Sequence, residues 1–428
     1  MKSLSATVRR PTFEWFAVTL LCSLFSVLAA TEGWLWRIDQ TIYDAVLSSW
    51  TRPPSEDVVI IAIDDASLAS IGRWPWSRRI HAALLDRARE VDAAAVVIDI
   101  LLDAPSRDDP EADAALAQAM RAYGRVVLPL TQATTGSTLT GEVLPLEAFT
   151  DAAIALGHGQ VEFDPDGIAR SVYLWEGFGA ARHPQLALAL LQKVAPDAAR
   201  RYPAPPIGEG LDHQQWQRAD WLRMPFSGPP GTYTHYSYRA VLNGEVPPDA
   251  LRGKILLIGA TAAGMADAVP TPTSGLSRPM PGVEVQANVF DALRRGVAVM
   301  PLSPWVSAAI AATLVVGLML SLLYASPRTG LMASFVLGGL ALLLAALGLH
   351  LGGWWFGPAP AVLGCTLAYP LWSWRRLESA HRYLDAELIA LEREGTPLGL
   401  PADYSGRSPA DPLEQRIRIV RQAAQHQR

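Results

Sequence analysis

Three apolar runs in the last third of the chain dominate its hydropathy pattern. Val306–Tyr324, Gly330–Leu351 and Trp354–Trp374 each pass without a Lys, Arg, Asp or Glu. An α-helix needs about 20 such residues to cross the hydrocarbon of a bilayer. A fourth run, Trp15–Ala30, is shorter and stands behind Lys2, Arg9 and Arg10. It reads as an uncleaved anchor, because it is long for the apolar part of a signal peptide and Trp34 and Trp36 follow as interface anchors. Cleavage after Val27-Leu28-Ala29 is the alternative; both place the following residues outside the cytoplasm.

Between the first and second runs the pattern alternates short strands with helices. Trp34–Trp50 carries Leu35, Ile38, Ile42, Val46 and Leu47 at helical spacing and is broken by Arg52-Pro53-Pro54. Val58–Ile63 is a continuous β-branched strand of the kind buried on both faces. His81–Val91 predicts a helix, Ala94–Leu101 a strand, Pro110–Tyr123 a helix and Arg125–Leu130 a third strand. Gln160–Phe163 and Ala169–Trp175 flank Asp164-Pro165-Asp166-Gly167 as a hairpin. A helix over Pro184–Val194, a strand over Lys254–Gly259 and a helix over Val283–Arg295 complete the series. The predicted fold class is one mixed, mainly parallel α/β domain, plus a helical membrane part of one N-terminal and three C-terminal spans. The domain limits follow: 1–33 for the tail and first span, 34–303 for the exported domain, 304–374 for the three-span bundle and 375–428 for a cytoplasmic linker.

Composition agrees with this division. Half of the residues are hydrophobic and only 18% charged, and the excess lies in the spans. Lys2, Arg9 and Arg10 precede the first span, Arg328 separates the second and third, and Arg375 and Arg376 follow the fourth. With four crossings all three groups fall on the cytoplasmic side, as the positive-inside rule requires; Arg294 and Arg295 oppose it, but long exported domains translocate regardless of charge. Cys22 and Cys365 both lie in spans, so the exported domain has no disulfide and relies on its own core of roughly 270 residues. A net charge of −5 without a basic stripe excludes nucleic acid as a partner.

Parallel α/β sheets bind ligands at the C-terminal ends of their strands. There the sequence sets Asp64 and Asp65, then Asp99, then Thr261 and Asp267, with Arg73, Trp74, Trp76 and Arg78 on the loop after the first strand. Carboxylates beside indoles suit a cation or an amine. The competing reading pairs Asp64, Asp65 and Asp99 with Arg73 and Arg78 as ion pairs that fix the loop, with the tryptophans packed as core. Asp164, Asp166 and Gly167 begin like a calcium loop without its later ligands and read as a tight turn. Gly259–Gly264 has P-loop glycine spacing but no Lys-Ser/Thr, so it is no nucleotide site. His158, His183, His213 and His235 lack metal-ligand spacing. His381 has no phosphoryl-transfer machinery near it. No nucleophile elbow, kinase loop or cofactor fingerprint occurs, so neither catalysis nor a cofactor is expected from these residues.

After the last run, Leu377, Leu384 and Leu391 recur every seven residues with Leu388 between them, and Leu413, Ile417, Val420 and Ala424 follow beyond a breaker at 395–412. The spacing predicts a signalling helix that dimerises as a coiled coil; an amphipathic helix on the membrane surface is the alternative.

Several segments together resemble the second type of CHASE domain, an extracellular sensing module of bacterial cyclases and histidine kinases. They are VVIIAIDDASLASIGRWPWSRR (58–79), AAVVIDILL with the acidic DDPEAD after it, GHGQVEFDPDGIARSV, RMPFSGPPGTY, KILLIGATAAGMADAVPTP and MPGVEVQANVFDALRRG. The likeness covers about residues 35–300. It implies a periplasmic sensor in the bacterial inner membrane, with both termini cytoplasmic and an unidentified small-molecule or protein ligand. It also implies a homodimer and an output domain beyond Arg428. WRRLESAHRYLDAELIALERE looks like the linker of histidine-kinase members, which would add a response regulator as partner; a nucleotide cyclase or a Ser/Thr kinase is the alternative output, and a membrane-tethered structural or enzymatic protein the reading outside that class.

Overall fold

The computed structural model describes residues 4–49, 52–107, 109–135, 138–206, 215–265 and 268–393, with side chains between 13 and 382. The described α-helices of seven residues or more are α1 (Leu4–Thr31), α2 (Trp36–Ser49), α3 (Asp65–Ile71), α4 (Arg78–Glu90), α5 (Pro110–Tyr123), α6 (Leu186–Val194), α7 (Gly282–Arg295), α8 (Pro304–Tyr324), α9 (Pro327–Leu347) and α10 (Ala359–Arg393). The principal strands are β1 (Val58–Ile63), β2 (Ala95–Ile98), β3 (Val126–Thr135), β4 (Thr138–Val143), β5 (Ala155–His158), β6 (Glu162–Phe163), β7 (Ala169–Phe178), β8 (His183–Pro184), β9 (Trp216–Arg223), β10 (Thr234–Ser237) and β11 (Ile255–Ala260). The chain divides into two compact units, one of residues 40–301 with 346–355, the other of 1–39, 302–345 and 356–428.

The first unit is α/β. Its main sheet runs β10-β1-β11-β2-β3-β5, every pair parallel, and β4 folds back antiparallel on β3. Every residue of β1 and β2 is buried, as a sheet covered on both faces requires. Val59, Ile61, Ile63, Val96, Ile98, Leu256 and Ile258 point to one side, into a core closed by α4 and α5. Side chains of opposite parity, such as Ile60, Val97 and Leu257, are also buried, on the face where α6 and α7 pack. A second, antiparallel sheet joins β6, β7, β8 and β9; β6 and β7 are the expected hairpin.

Single residues explain the tight places. A Cβ on Gly259 would stand 2.5 Å from Val283 Cβ, so the first glycine of the GATAAG segment lets α7 approach β11. Gly264 turns the chain at φ +86°, a conformation that glycine adopts without steric cost.

The second unit is a helical bundle of α1, α8, α9 and α10. Phe13–Thr31, Pro304–Tyr324 and Pro327–Gly352 are the described segments long and apolar enough to cross a membrane. Phe16, Leu20, Met332, Phe335 and Val336 are exposed, whereas Cys22, Ala311, Val315, Ala341 and Cys365 are buried. An apolar exterior over small buried residues suits hydrocarbon surroundings.

The fourth predicted span differs in detail. Trp354 and Trp355, expected to open it, instead pair in a two-residue parallel ladder with Met300 and Pro301. Trp355 also meets Tyr43 edge-on at 5.1 Å. Gly353 at φ +62° and the Gly357-Pro358 pair hold the chain out of helix until Ala359. From there α10 runs unbroken through Pro370 to Arg393, but its uncharged part ends at Trp374, short of about 20 residues.

Candidate ligand-binding site

The strand-end residues singled out by sequence do not converge on one pocket. Asp64 is the N-cap of α3: its Oδ1 accepts from Ser67 N at 2.8 Å, Ser67 Oγ at 2.5 Å and Ser237 Oγ at 2.9 Å. Burial pushes the carboxyl up, but these donors outweigh it and hold it below the usual carboxylate range. The group is committed to starting a helix and joining it to β10. Asp65, the first residue of that helix, is exposed. Thr261 closes the sheet, with its N–H on Ile63 O at 3.0 Å and its hydroxyl on the same oxygen at 3.5 Å.

The tryptophan loop is part of the core. Trp76 is buried and donates Nε1–H to Gly72 O at 2.8 Å. Gly72, at φ +113°, ends α3 with its N–H on Leu68 O. The Trp76 ring lies 5.2 Å from Trp74 and 4.9 Å from Tyr238, and Trp74 lies 5.9 Å from His81. The indoles therefore stack on one another and on α4, not around a ligand. Arg73 is exposed. Arg78 lies 3.7 Å from Asp113 on α5, so its ion pair is with a residue outside the set the sequence suggested.

Asp99 has a different setting. It follows β2, its N–H held by Ile258 O at 2.8 Å, and it lines a cleft of about 420 Å³ at the ends of β2, β3 and β5. Gln160, Gln286 and Thr131 supply the other polar side chains of this cleft, and Leu101 and Phe163 stand among its apolar residues. Two amide relays fix its shape. Gln286 Nε2 donates to Gly159 O at 3.0 Å while its Oε1 accepts from Gln185 Nε2 at 2.6 Å, and Gln185 Oε1 caps α6 through Ala187 N. Gln160 Nε2 donates to Thr131 Oγ1 at 2.7 Å. Of the described sequence candidates, Asp99 alone lines this cleft. Asp267 lies outside the described residues. Leu377 sits half exposed on α10; Leu384, Leu388 and Leu391 follow on the same helix, with side chains outside the described set, as is the block from Leu413 to Ala424.

A family model for the CHASE2 domain matches residues 18–323, most of the chain. The chain belongs to the CHASE2 domain family. Neither a curated protein nor a solved structure matches it. CHASE2 is a sensor domain, usually periplasmic, and the match here extends from within α1 to the last turn of α8.

The motifs that carried the family likeness hold this CHASE2 domain together. The Asp164–Gly167 turn is the tight turn expected, closed by Gly167 N on Asp164 O at 2.8 Å, and its carboxylates face a guanidinium. Arg170, only 1% exposed, meets Asp44 of α2 at 2.6 Å and Asp164 and Asp166 at 2.8 Å each. Burial disfavours the charge on Arg170, yet the three carboxylates raise its pKa above the ordinary arginine value. On α7, Glu284, Asn288 and Asp291 share one face. Glu284 accepts from Gly231 N and Thr232 N, Asn288 from Ser227 N, and Asp291 from Ser55 N. The GVEVQANVFDALRR segment thus pins the FSGPPGTY loop. Sequence reading missed Arg170, Glu284, Asn288 and Asp291, although four such charged or amide residues inside an apolar helix and strand are themselves a signal of buried pairing.

Proposed function

We propose that this chain is a transmembrane signal receptor. Its CHASE2 domain stands in the periplasm, α1, α8, α9 and α10 cross the inner membrane, and both tails lie in the cytoplasm. A stimulus on the domain changes the helices that enter and leave it in sequence, and α10 carries the change to an output domain, a histidine kinase acting on a response regulator. Two copies pair through Leu377, Leu384, Leu388 and Leu391.

One contact carries the four-crossing reading. Glu14, at the start of the first apolar segment, accepts from Ser379 Oγ at 2.8 Å and lies 3.7 Å from Arg375 and 3.6 Å from Arg382, just beyond the last apolar segment. The beginning of α1 and the stretch of α10 beyond its apolar part therefore share one end of the bundle, which supports an even number of crossings. The short apolar part of α10 is compensated by partners: Cys365 and Ala368 are buried, Ser334 Oγ donates to Cys365 O at 2.8 Å, and Tyr369 Oη donates to Pro327 O at 2.9 Å. The positive groups at Arg9, Arg328 and Arg375 then all fall on the cytoplasmic side.

Fusions test this directly. Alkaline phosphatase inserted at Tyr202 is expected to be active and a green fluorescent protein joined after Arg428 to fluoresce. Activity of phosphatase at both positions would overturn the topology. Polar substitution of Leu384 and Leu391 is expected to abolish cytoplasmic crosslinking between copies; unchanged crosslinking contradicts the dimeric relay.

A further inference from the structure

The cleft beside Asp99 has a chemical preference of its own, and we infer that it binds a small organic ammonium ion, an amine-bearing molecule with a short hydrocarbon part. The inference deepens the receptor reading, on which it rests for its biological meaning, by naming the ligand class and the place.

The sign of the charge comes first. Among the described residues lining the cleft, Asp99 is the one ionisable side chain, and none is Lys, Arg or His. An acidic group between low-dielectric walls attracts cations and repels carboxylates and phosphates. The start of α7, at Gly282 on the cleft wall, does not reverse this. A helix N-terminus favours anions, but Glu284 already lies in the first turn of α7, fully buried and bonded to Gly231 and Thr232, and its charge offsets that end of the helix.

Hydrogen bonding gives the same answer. Gln160 gives one of its two amide N–H groups to Thr131, and its carbonyl oxygen remains an acceptor at the cleft. Gln286 gives one N–H to Gly159 O and accepts from Gln185 on its Oε1, so it fixes the cleft wall. The carboxylate of Asp99 and the carbonyl oxygen of Gln160 are acceptors on the polar side of the cleft, and an ammonium group brings up to three donors. Leu101 and Phe163 are exposed at this cleft, so a bound hydrocarbon chain removes apolar surface from water on both itself and the protein. The volume, about 420 Å³, lies at the small end of ligand sites, about 300–1,000 Å³. The anchor is also placed for consequence. Asp99 follows a central strand, while Gln286 belongs to α7, the helix whose last residues precede α8 in sequence.

The full chain in lipid nanodiscs allows the test, with n-butylammonium, n-butanol and n-butyrate as probes at equal ionic strength and saturation-transfer NMR as the readout of contact. Wild type is expected to give a signal with millimolar n-butylammonium that is at least tenfold stronger than with n-butyrate, and stronger than with n-butanol. Asp99→Asn removes the preference. Leu101→Trp, a change at an exposed side chain that fills the cleft without touching the core, removes binding of all three. Asp65→Asn, on an exposed carboxylate outside the cleft, leaves binding intact. No signal in wild type, equal signals from the three probes, or an ammonium signal that survives both Asp99→Asn and Leu101→Trp overturns the inference. Because no output is measured, such a failure leaves the receptor reading standing, and a failed fusion experiment leaves the cleft standing.

Discussion

The α/β unit keeps Arg170, Glu176, Glu284 and Asp291 inside, whereas the described interior of the helical unit is built from uncharged residues such as Trp15, Cys22, Ser26, Ala311, Val315 and Leu318. The bundle holds its charges at its ends: Glu14 meets Arg375 and Arg382, and Asp39 accepts from Ala359 N at 2.8 Å to cap α10. The exteriors are reversed in the same way, apolar around the bundle and polar around the domain. The difference follows from the solvent each unit faces. In water a domain can fix irregular loops by burying charges, provided each is paired. In hydrocarbon, helices gain nothing from excluding apolar surface and associate through close approach of small residues and hydrogen bonds instead.

The sharpest way to break this contrast is Arg170→Met. The change removes the guanidinium that joins Asp44, Asp164 and Asp166 and leaves only Arg223, 3.8 Å from Asp164, beside them; stranding one side of a buried pair costs about 3–5 kcal/mol. The urea midpoint of the domain in the full chain, followed by tryptophan fluorescence, is expected to fall steeply, while helical circular dichroism from the spans persists. A domain midpoint unchanged within error contradicts the assignment of Arg170 as its central tie.

The bundle should fail by size, not by charge. A Cβ on Gly364 would stand 2.1 Å from Ser26 Oγ and 2.8 Å from Val315 Cγ2, whereas one on Gly317 would meet nothing within 4 Å. Gly364→Leu is expected to cost the bundle about 1–3 kcal/mol through overpacking, lowering its thermal unfolding temperature in detergent with no effect on the domain's urea midpoint. Gly317→Leu is the tolerated control. Equal effects of the two substitutions would show that α10 does not pack where its glycine implies.

Sequence pattern revealed the parts whose burial is continuous. β1, β2 and β11 are apolar on both faces, α5 spans the predicted Pro110–Tyr123, and the spans announce themselves by length. Strands at the margins were not legible: β5 reads Ala-Leu-Gly-His and β10 Thr-His-Tyr-Ser, neither apolar nor alternating, and each pairs with a single strand of the main sheet. The cleft was half visible for that reason. Asp99 follows a strand that could be read, but Gln160 and Gly159 follow β5. The tryptophan loop left two readings open, since Trp74 and Trp76 pack on each other and on Tyr238, and composition cannot distinguish a stacked indole from one that lines a pocket.

A smaller and reversible effect separates the units by pH. His81 is buried against Tyr238 Oη at 2.9 Å, and burial, aided by the Arg78 charge, pushes its pKa down to about 4. Burial, with His183 and Arg218 nearby, takes His158 down to about 3. Both rings are neutral in the folded domain, while unfolded histidine takes up a proton near pH 6.5. Below that pH the unfolded chain binds more protons than the folded one, so stability that is complete above about pH 6.5 falls as the pH drops toward the folded values, by at most about 1.4 kcal/mol per pH unit for each ring. Asp64 and Asp166, held below the usual carboxylate range by their hydrogen bonds against the opposing effect of burial, lose their contribution only at lower pH. Glu176, raised by burial, works in the opposite sense. The domain's urea midpoint is expected to be flat from pH 8 to 7 and to decline between pH 6.5 and 5, less so in His81→Gln, which retains a partner for Tyr238. The described interior of the bundle holds no histidine or carboxylate, so its thermal unfolding should not move across the same interval, and a parallel decline in both units would mean that they do not differ in the way their interiors indicate.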